Sequence, residues 1–196
     1  MGKEKYQSNI MNFFGKTPVV SSRDLAMLVK SQKGYVHLLV HNLIKAGKIK
    51  KIVKGFYTVH DDPVVSVFCF KPAYIGLQDA LSFHGIWDQE TNVVIISSKK
   101  IRTGLRKILG SNVMLRNIKP KYMFGSQLIK YDNLYIPISD LEKTMIDFVY
   151  FGEHLDKQTL RVIKRRIDIK KTEAYLKHYP KKFRDKVMKI LGVAAK

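Results

Sequence analysis

One cysteine and one tryptophan stand in this chain of 196 residues. A single thiol, Cys69, excludes an intramolecular disulfide and suits a reducing compartment. It lies between Phe68 and Phe70 with no His or basic residue beside it, so it reads as a buried, inert thiol rather than a nucleophile. No apolar run approaches the roughly 18 residues that a membrane helix needs. Met1 to Gln7 are polar and unlike a signal peptide, so a cytoplasmic protein with no membrane partner is expected. Phosphate-binding glycine loops are missing too: Gly104 and Gly110 lack the Lys and Ser/Thr of a P-loop. Ser82 and His84 are neighbours in number, but no G-x-S-x-G elbow accompanies them. The reading is therefore of a protein that is not an enzyme and carries no cofactor.

Acidic side chains are scarce, with 16 Asp and Glu against 36 Lys and Arg and a net charge of +20. The imbalance is uneven. Residues 1–60 carry 11 Lys and Arg against 2 acids, residues 61–156 carry 11 of each, and residues 157–196 carry 14 against 3. Charge that served solubility alone would have no reason to avoid the middle of the chain. Two basic ends around a neutral centre suit two surfaces directed at a polyanion, with double-stranded DNA the first candidate.

What is present is a helical pattern followed by a basic hairpin. Tyr6, Ile10, Phe13 and Phe14 have helical spacing, closed by Gly15. Pro18-Val19-Val20 is extended, and Ser21 or Ser22 caps a helix with Asp24 three residues after Ser21, a variant of the capping box. A further helix begins between Ser31 and Tyr35, with Val36, Leu39, Val40, Leu43 and Ile44 on one face. Its other face presents Ser31, Gly34, Tyr35, Leu38, His41, Asn42 and Lys45, and Gly47 stops it. Ile49, Ile52, Phe56, Tyr57 and Val59 make two strands around Val53-Lys54-Gly55. This order is that of a winged helix-turn-helix.

Asp61-Asp62-Pro63 marks a boundary. Val64–Phe70 is an apolar strand or the lead of a helix, and 73–84 reads as a helix ended by Gly85. Val93–Ser97 is a buried strand, and Val113–Ile118 is another. Asp132-Asn133 joins two strands as a hairpin. Ser139 caps a helix running to about Tyr150, with Glu142 three residues later. The fold class expected is α+β (mixed α/β). Residues 1–61 form the winged helix-turn-helix and 62–156 a small α/β domain with about four strands. Residues 157–196 form a basic helical extension packed on that domain.

The Lys54-Gly55-Phe56-Tyr57-Thr58-Val59 wing is followed by Pro72-Ala73-Tyr74-Ile75-Gly76, and then by Ala80-Leu81-Ser82-Phe83-His84-Gly85-Ile86. Ile138-Ser139-Asp140-Leu141-Glu142-Lys143-Thr144-Met145-Ile146-Asp147 comes later. This series, over roughly residues 5–150, resembles the AbiEi family of transcriptional regulators, the antitoxins of type IV toxin–antitoxin (abortive infection) systems. The resemblance implies a DNA-binding winged helix joined to an α/β domain, a repressor of its own operon, and dimer-like or cooperative assembly on repeats. It also implies a nucleotidyltransferase-like toxin as partner. The strongly basic C-terminus lies outside it.

A helix in the major groove reads base edges with side chains facing away from its core. Here those are Ser31, Gln32, Lys33, Tyr35, Leu38, His41 and Asn42, with Asn42 suited to a bidentate pair with adenine. Lys45, Lys50, Lys51 and Lys54 are placed for phosphate contact. A second candidate DNA surface comprises Lys99, Lys100 and Arg102 with Lys164, Arg165, Arg166, Lys170, Lys171, Lys181, Lys182 and Arg184. His37 and His41, spaced i, i+4, lack the acidic residue of a zinc-protease helix, and no metal site is expected. Asp140, Glu142 and Asp147 have the composition of a Mg²⁺ site, but their place at a helix start is explained by capping. The function expected is an autorepressing DNA-binding regulator. The alternatives are an antitoxin acting chiefly by protein contact on a toxin, or a non-specific nucleic-acid-binding protein.

Overall fold

The structure is a computed structural model that describes residues 2–29 and 33–193. It divides into two compact units: residues 1–70 with 106–112, and residues 71–105 with 113–196. The first unit thus runs beyond Asp61 to Phe70, and the C-terminal helices belong to the second. Among the described residues no helix is long and apolar enough to cross a membrane.

In the first unit, helix α1 (Gly2–Phe14) precedes strand β1 (Val20–Ser21), α2 (Ser22–Val29) and α3 (Lys33–Lys45). The start of α2 is a reciprocal cap: the Ser21 amide donates to Asp24 Oδ2 at 2.8 Å, and the Asp24 amide donates to Ser21 Oγ at 3.2 Å. Gly47 ends α3 at φ 66°, a left-handed conformation that costs glycine nothing. Strands β2 (Lys50–Val53) and β3 (Phe56–Thr58) form the hairpin, and β1 joins it so that the strand order is β1-β3-β2, all antiparallel. The hairpin tip is tied to α2, since the Ser22 amide donates to the Gly55 carbonyl at 2.8 Å. The core is apolar throughout, built from Ile10, Phe14, Leu25, Val29, Val36, Leu39, Val40, Leu43, Ile49 and Tyr57 among others. Ile44, expected with them, lies outside at 38% exposure. The apolar run at Val64–Phe70 is a 3₁₀ helix spanning Pro63–Phe70.

The second unit holds most of a six-stranded mixed sheet, where about four strands were expected; residues 106–112 of its β6–β7 edge are counted with the first unit. Its strands are β4 (Ala73–Ile75), β5 (Val93–Ser97), β6 (Gly104–Ile108), β7 (Ser111–Asn117), β8 (Ser126–Tyr131) and β9 (Leu134–Ser139). They lie in the order β6-β7-β5-β4-β9-β8. The β4–β9 and β5–β7 pairs are parallel, and β4–β5 and β8–β9 are antiparallel. Two of these strands escape the sequence pattern. β4 has three residues, too few to show a period, and precedes α4 (Leu77–Phe83) directly, so the stretch reads as one helix. β6 is an edge strand carrying Arg106 and Lys107, with too little apolar signal to register.

Helix α5 (Leu141–Phe151) is buried on all sides from Leu141 to Val149. The cap is Asp140, one residue later than expected: its Oδ1 accepts the Lys143 amide at 2.8 Å. Ser139 is instead buried, with its hydroxyl 2.7 Å from that of Thr144. α6 (Lys157–Arg166), α7 (Ile169–Leu176) and α8 (Lys181–Leu191) complete the unit. Ile163, Ile167, Leu176, Val187 and Leu191 share one core with Tyr74, Ile96, Met145 and Phe148, so the basic C-terminus folds with the sheet.

Candidate nucleic-acid interface

The outward face of α3 and the hairpin carry the residues singled out by charge and spacing. Val36, Leu39, Val40 and Leu43 face the core, which leaves His37, Leu38, His41 and Lys45 exposed. Leu38 is 57% exposed, an apolar side chain held in solvent on an otherwise polar face. Asn42 is half-buried. Tyr35 is half-buried as well and packs against the core of the unit, so its ring serves the fold before any ligand. Lys33 is the first residue of α3, while Ser31 and Gln32 lie outside the described residues. Met27 on α2 is 63% exposed, which the periodicity did not single out.

On the hairpin, Lys51 and Lys54 are exposed and Lys50 is paired with Asp61. Both partners of that pair are open to solvent, so the pair contributes little to stability and offsets the charge of one of the three lysines. The β2–β3 register shifts between Lys51 and Val53, a bulge that bends the strand beside its lysines.

The second set of basic residues sits in the other unit. Lys99, Lys100 and Arg102 are exposed in the connection between β5 and β6. Lys164, Arg165 and Arg166, the last turn of α6, are exposed, as are Lys170, Lys181 and Lys182, with Arg184 half-buried. Two acids of this region cap helices, Asp156 at α6 and Asp168 at α7, while Glu173 and Asp185 are exposed within α7 and α8. Lys171 differs from the rest. Its ammonium lies 3.0 Å from Asp140 Oδ2 and 2.8 Å from Glu142 Oε2, so it fastens α7 to the start of α5. Burial acts to lower its pKa, but the hydrogen bonds to Glu142 and Asp140 outweigh this and hold it above the usual lysine range.

The three carboxylates with the composition of a Mg²⁺ site all have protein partners. Asp140 Oδ2 also accepts the Tyr175 hydroxyl at 2.7 Å, and Glu142 Oε1 accepts the Asp168 amide at 3.0 Å. Asp147 is buried in an ion pair with Lys143, and its Oδ2 accepts the Tyr74 hydroxyl at 2.7 Å. Burial pushes the Asp147 pKa up and the Lys143 pKa down, each opposed by the partner's charge. Gly125 (φ 69°) sits tightly against this cluster, where a Cβ would come within 2.8 Å of Lys143 Cβ and 2.9 Å of Tyr175 Cε2. Among the described residues no group of three or more His, Cys, Asp and Glu could hold a metal ion.

These elements make a mixed α+β protein in which one unit presents a helix face and a basic hairpin and the other carries exposed basic helices. The fold is similar to that of the RV2827C protein from Mycobacterium tuberculosis, whose crystal structure matches with a TM-score of 0.58 at 13% identity. The match covers 96% of this chain and 78% of that one. No family model matches the chain. Nor does any curated protein match it.

Proposed function

We propose that the chain is a DNA-binding transcriptional regulator whose first unit works as a winged helix-turn-helix. The observation that carries this reading is the outward face of α3. Four residues of the helix are spent on an apolar core, while Leu38, His41 and Lys45 face solvent, and a hairpin with exposed Lys51 and Lys54 follows at once. The surrounding sequence has 11 Lys and Arg against 2 acids over residues 1–60, so phosphates would find few repulsive charges.

In this reading α3 enters the major groove. Asn42 pairs with adenine, Leu38 meets a thymine methyl, and His41 offers a ring nitrogen to a base edge. Lys45, Lys51 and Lys54 lie along phosphates, and the hairpin follows the backbone or the minor groove. The exposed cations of α6 and α8 supply a second backbone contact. Lys171 is left out of it because it is held by Asp140 and Glu142. The resemblance to the AbiEi family extends the proposal to an autorepressing antitoxin with a nucleotidyltransferase-like toxin as partner, acting in the cytoplasm and assembling on operator repeats.

The test is a mobility-shift series with the full chain on its own upstream DNA, on random duplex and on RNA. Tighter binding to the upstream duplex, with a log–log salt slope near −5 if about six phosphates are neutralised, is expected. Equal binding to all three nucleic acids would remove operator recognition. Co-purification with the product of the neighbouring gene tests the toxin partner separately.

A further inference from the structure

The mixed sheet ends on β8, and among the described residues no strand pairs with its outer edge. β8 runs Ser126–Tyr131 against β9 in unbroken register, with neither the bulge nor the proline that commonly blunts an exposed edge. The hairpin fixes which of its backbone groups face outward. Tyr131 and Leu134 flank the two-residue turn as a hydrogen-bonded pair, so bonded pairs recur at Ile129–Ile136 and Gln127–Ile138. Pro137, which has no N–H, stands opposite Leu128 at a non-bonded position, as this phase requires. The N–H and C=O groups of Ser126, Leu128 and Lys130 therefore point away from β9 into the open edge. The side chains add a second observation. Leu128, 66% exposed, and Tyr135, 60% exposed, lie on one face and diagonal to each other across the β8–β9 pair.

We infer that two copies of this chain pair through β8, as antiparallel strands about a twofold axis at Leu128. The register follows from the outward groups. Only an axis at Leu128 engages Ser126, Leu128 and Lys130 of both copies, each opposed pair exchanging its N–H and C=O bonds. Leu128 then meets the second copy's Leu128, and Lys130 meets the second copy's Ser126 instead of another lysine. Tyr135 of each copy flanks the Leu128 pair and completes an apolar patch over the axis. Charge also selects this edge. A chain of net charge +20 repels its copy, so contact is cheapest where charge is lowest. Residues 126–139 hold one lysine and one aspartate, inside the stretch 61–156 whose charges balance. The sheet's other edge, β6, carries Arg106 and Lys107 side by side and is guarded in the usual way. The pairing uses no residue of the proposed DNA face and does not rest on that reading.

Sedimentation equilibrium of the full chain without nucleic acid, over a concentration series, tests this. A reversible rise from one chain mass to two is expected. Added salt should strengthen it by screening the repulsion between copies, the opposite of its effect on DNA binding. Leu128→Lys sets two ammonium groups against each other on the axis and is expected to raise the dimer Kd about tenfold or more. Its melting curve should match the parent's, because the side chain it replaces is exposed. Ser126→Asp faces the second copy's Lys130 and should lower the Kd a few-fold, which no other register of these strands gives. Leu105→Lys, at the exposed position on β6, should change neither mass nor Kd. A chain that stays monomeric to its solubility limit, assembly beyond two chains, or a dimer indifferent to Leu128→Lys and Ser126→Asp would each overturn the inference. With nucleic acid absent throughout, none of these outcomes depends on whether the first unit binds DNA.

Discussion

Among the described residues, the first unit buries no Lys, Arg, Asp or Glu in its core of aliphatic and aromatic residues, whereas the second buries Lys143 and Asp147 completely among Tyr74, Met145 and Phe148. The basic residues differ in the same way. Lys51 and Lys54 project from the hairpin, while Lys171 of the second unit is drawn between Asp140 and Glu142. A Lys or Arg count therefore overstates the uncompensated positive charge wherever a carboxylate takes a cation up, as at Lys171 and, in open solvent, at Lys50. The contrast also separates two ways of holding helices together. An apolar core depends on volume, while a buried polar cluster depends on every member being matched.

The largest expected effect breaks that cluster. Asp147→Ala strands the Lys143 ammonium and the Tyr74 hydroxyl, and a loss of about 3–5 kcal/mol in denaturant unfolding is expected. The double change Lys143→Met with Asp147→Leu should recover most of that loss; if it does not, the pair is not what makes the site sensitive. Next comes the outward face of α3, proposed above to read bases. Asn42→Ala is expected to cost about 1–3 kcal/mol on the cognate duplex and nothing on random duplex. A uniform loss would reassign Asn42 to backbone contact. Lys51→Ala with Lys54→Ala should weaken all duplexes alike and flatten the log–log salt slope by about 2. Lys171→Ala should leave that slope unchanged while lowering stability, and the opposite result would erase the distinction drawn between the two basic regions.

The smallest effect is a titration. Burial and the hydrogen bond to Asp140 push the Tyr175 pKa up from 10.0 to about 12. Because the folded state holds this proton more tightly, the stabilisation is complete below pH 10 and is lost as pH rises towards 12. Tyr175→Phe should therefore lower the melting temperature at neutral pH by a few degrees and show a shallower decline above pH 10, as followed by circular dichroism.

Local signals were the legible ones. The Ser21–Asp24 cap, the Gly47 stop, the hairpin around Lys54-Gly55 and the Asp132-Asn133 turn each follow from residues a few positions apart. Val36, Leu39, Val40 and Leu43 announced the buried face of α3, though Ile44 at its margin turned outward. Strands β4 and β6 were illegible because one is too short to repeat and the other too polar to stand out. The candidate site divides similarly: the exposed side of α3 was readable from its period, whereas the partners of Asp140, Glu142 and Asp147 were not. Tyr74 and Asp147 are 73 residues apart, and Glu142 meets the Asp168 amide across 26.

The amino-acid order by itself determined the α+β class, the helix and hairpin order of the first unit and the division of charge into two basic ends, because each depends on period, caps or composition. Only the tertiary structure decided which basic residues face solvent and which a carboxylate, and the order of the six strands. Those depend on long-range pairing: whether a lysine meets solvent or a carboxylate is set by what the fold brings next to it.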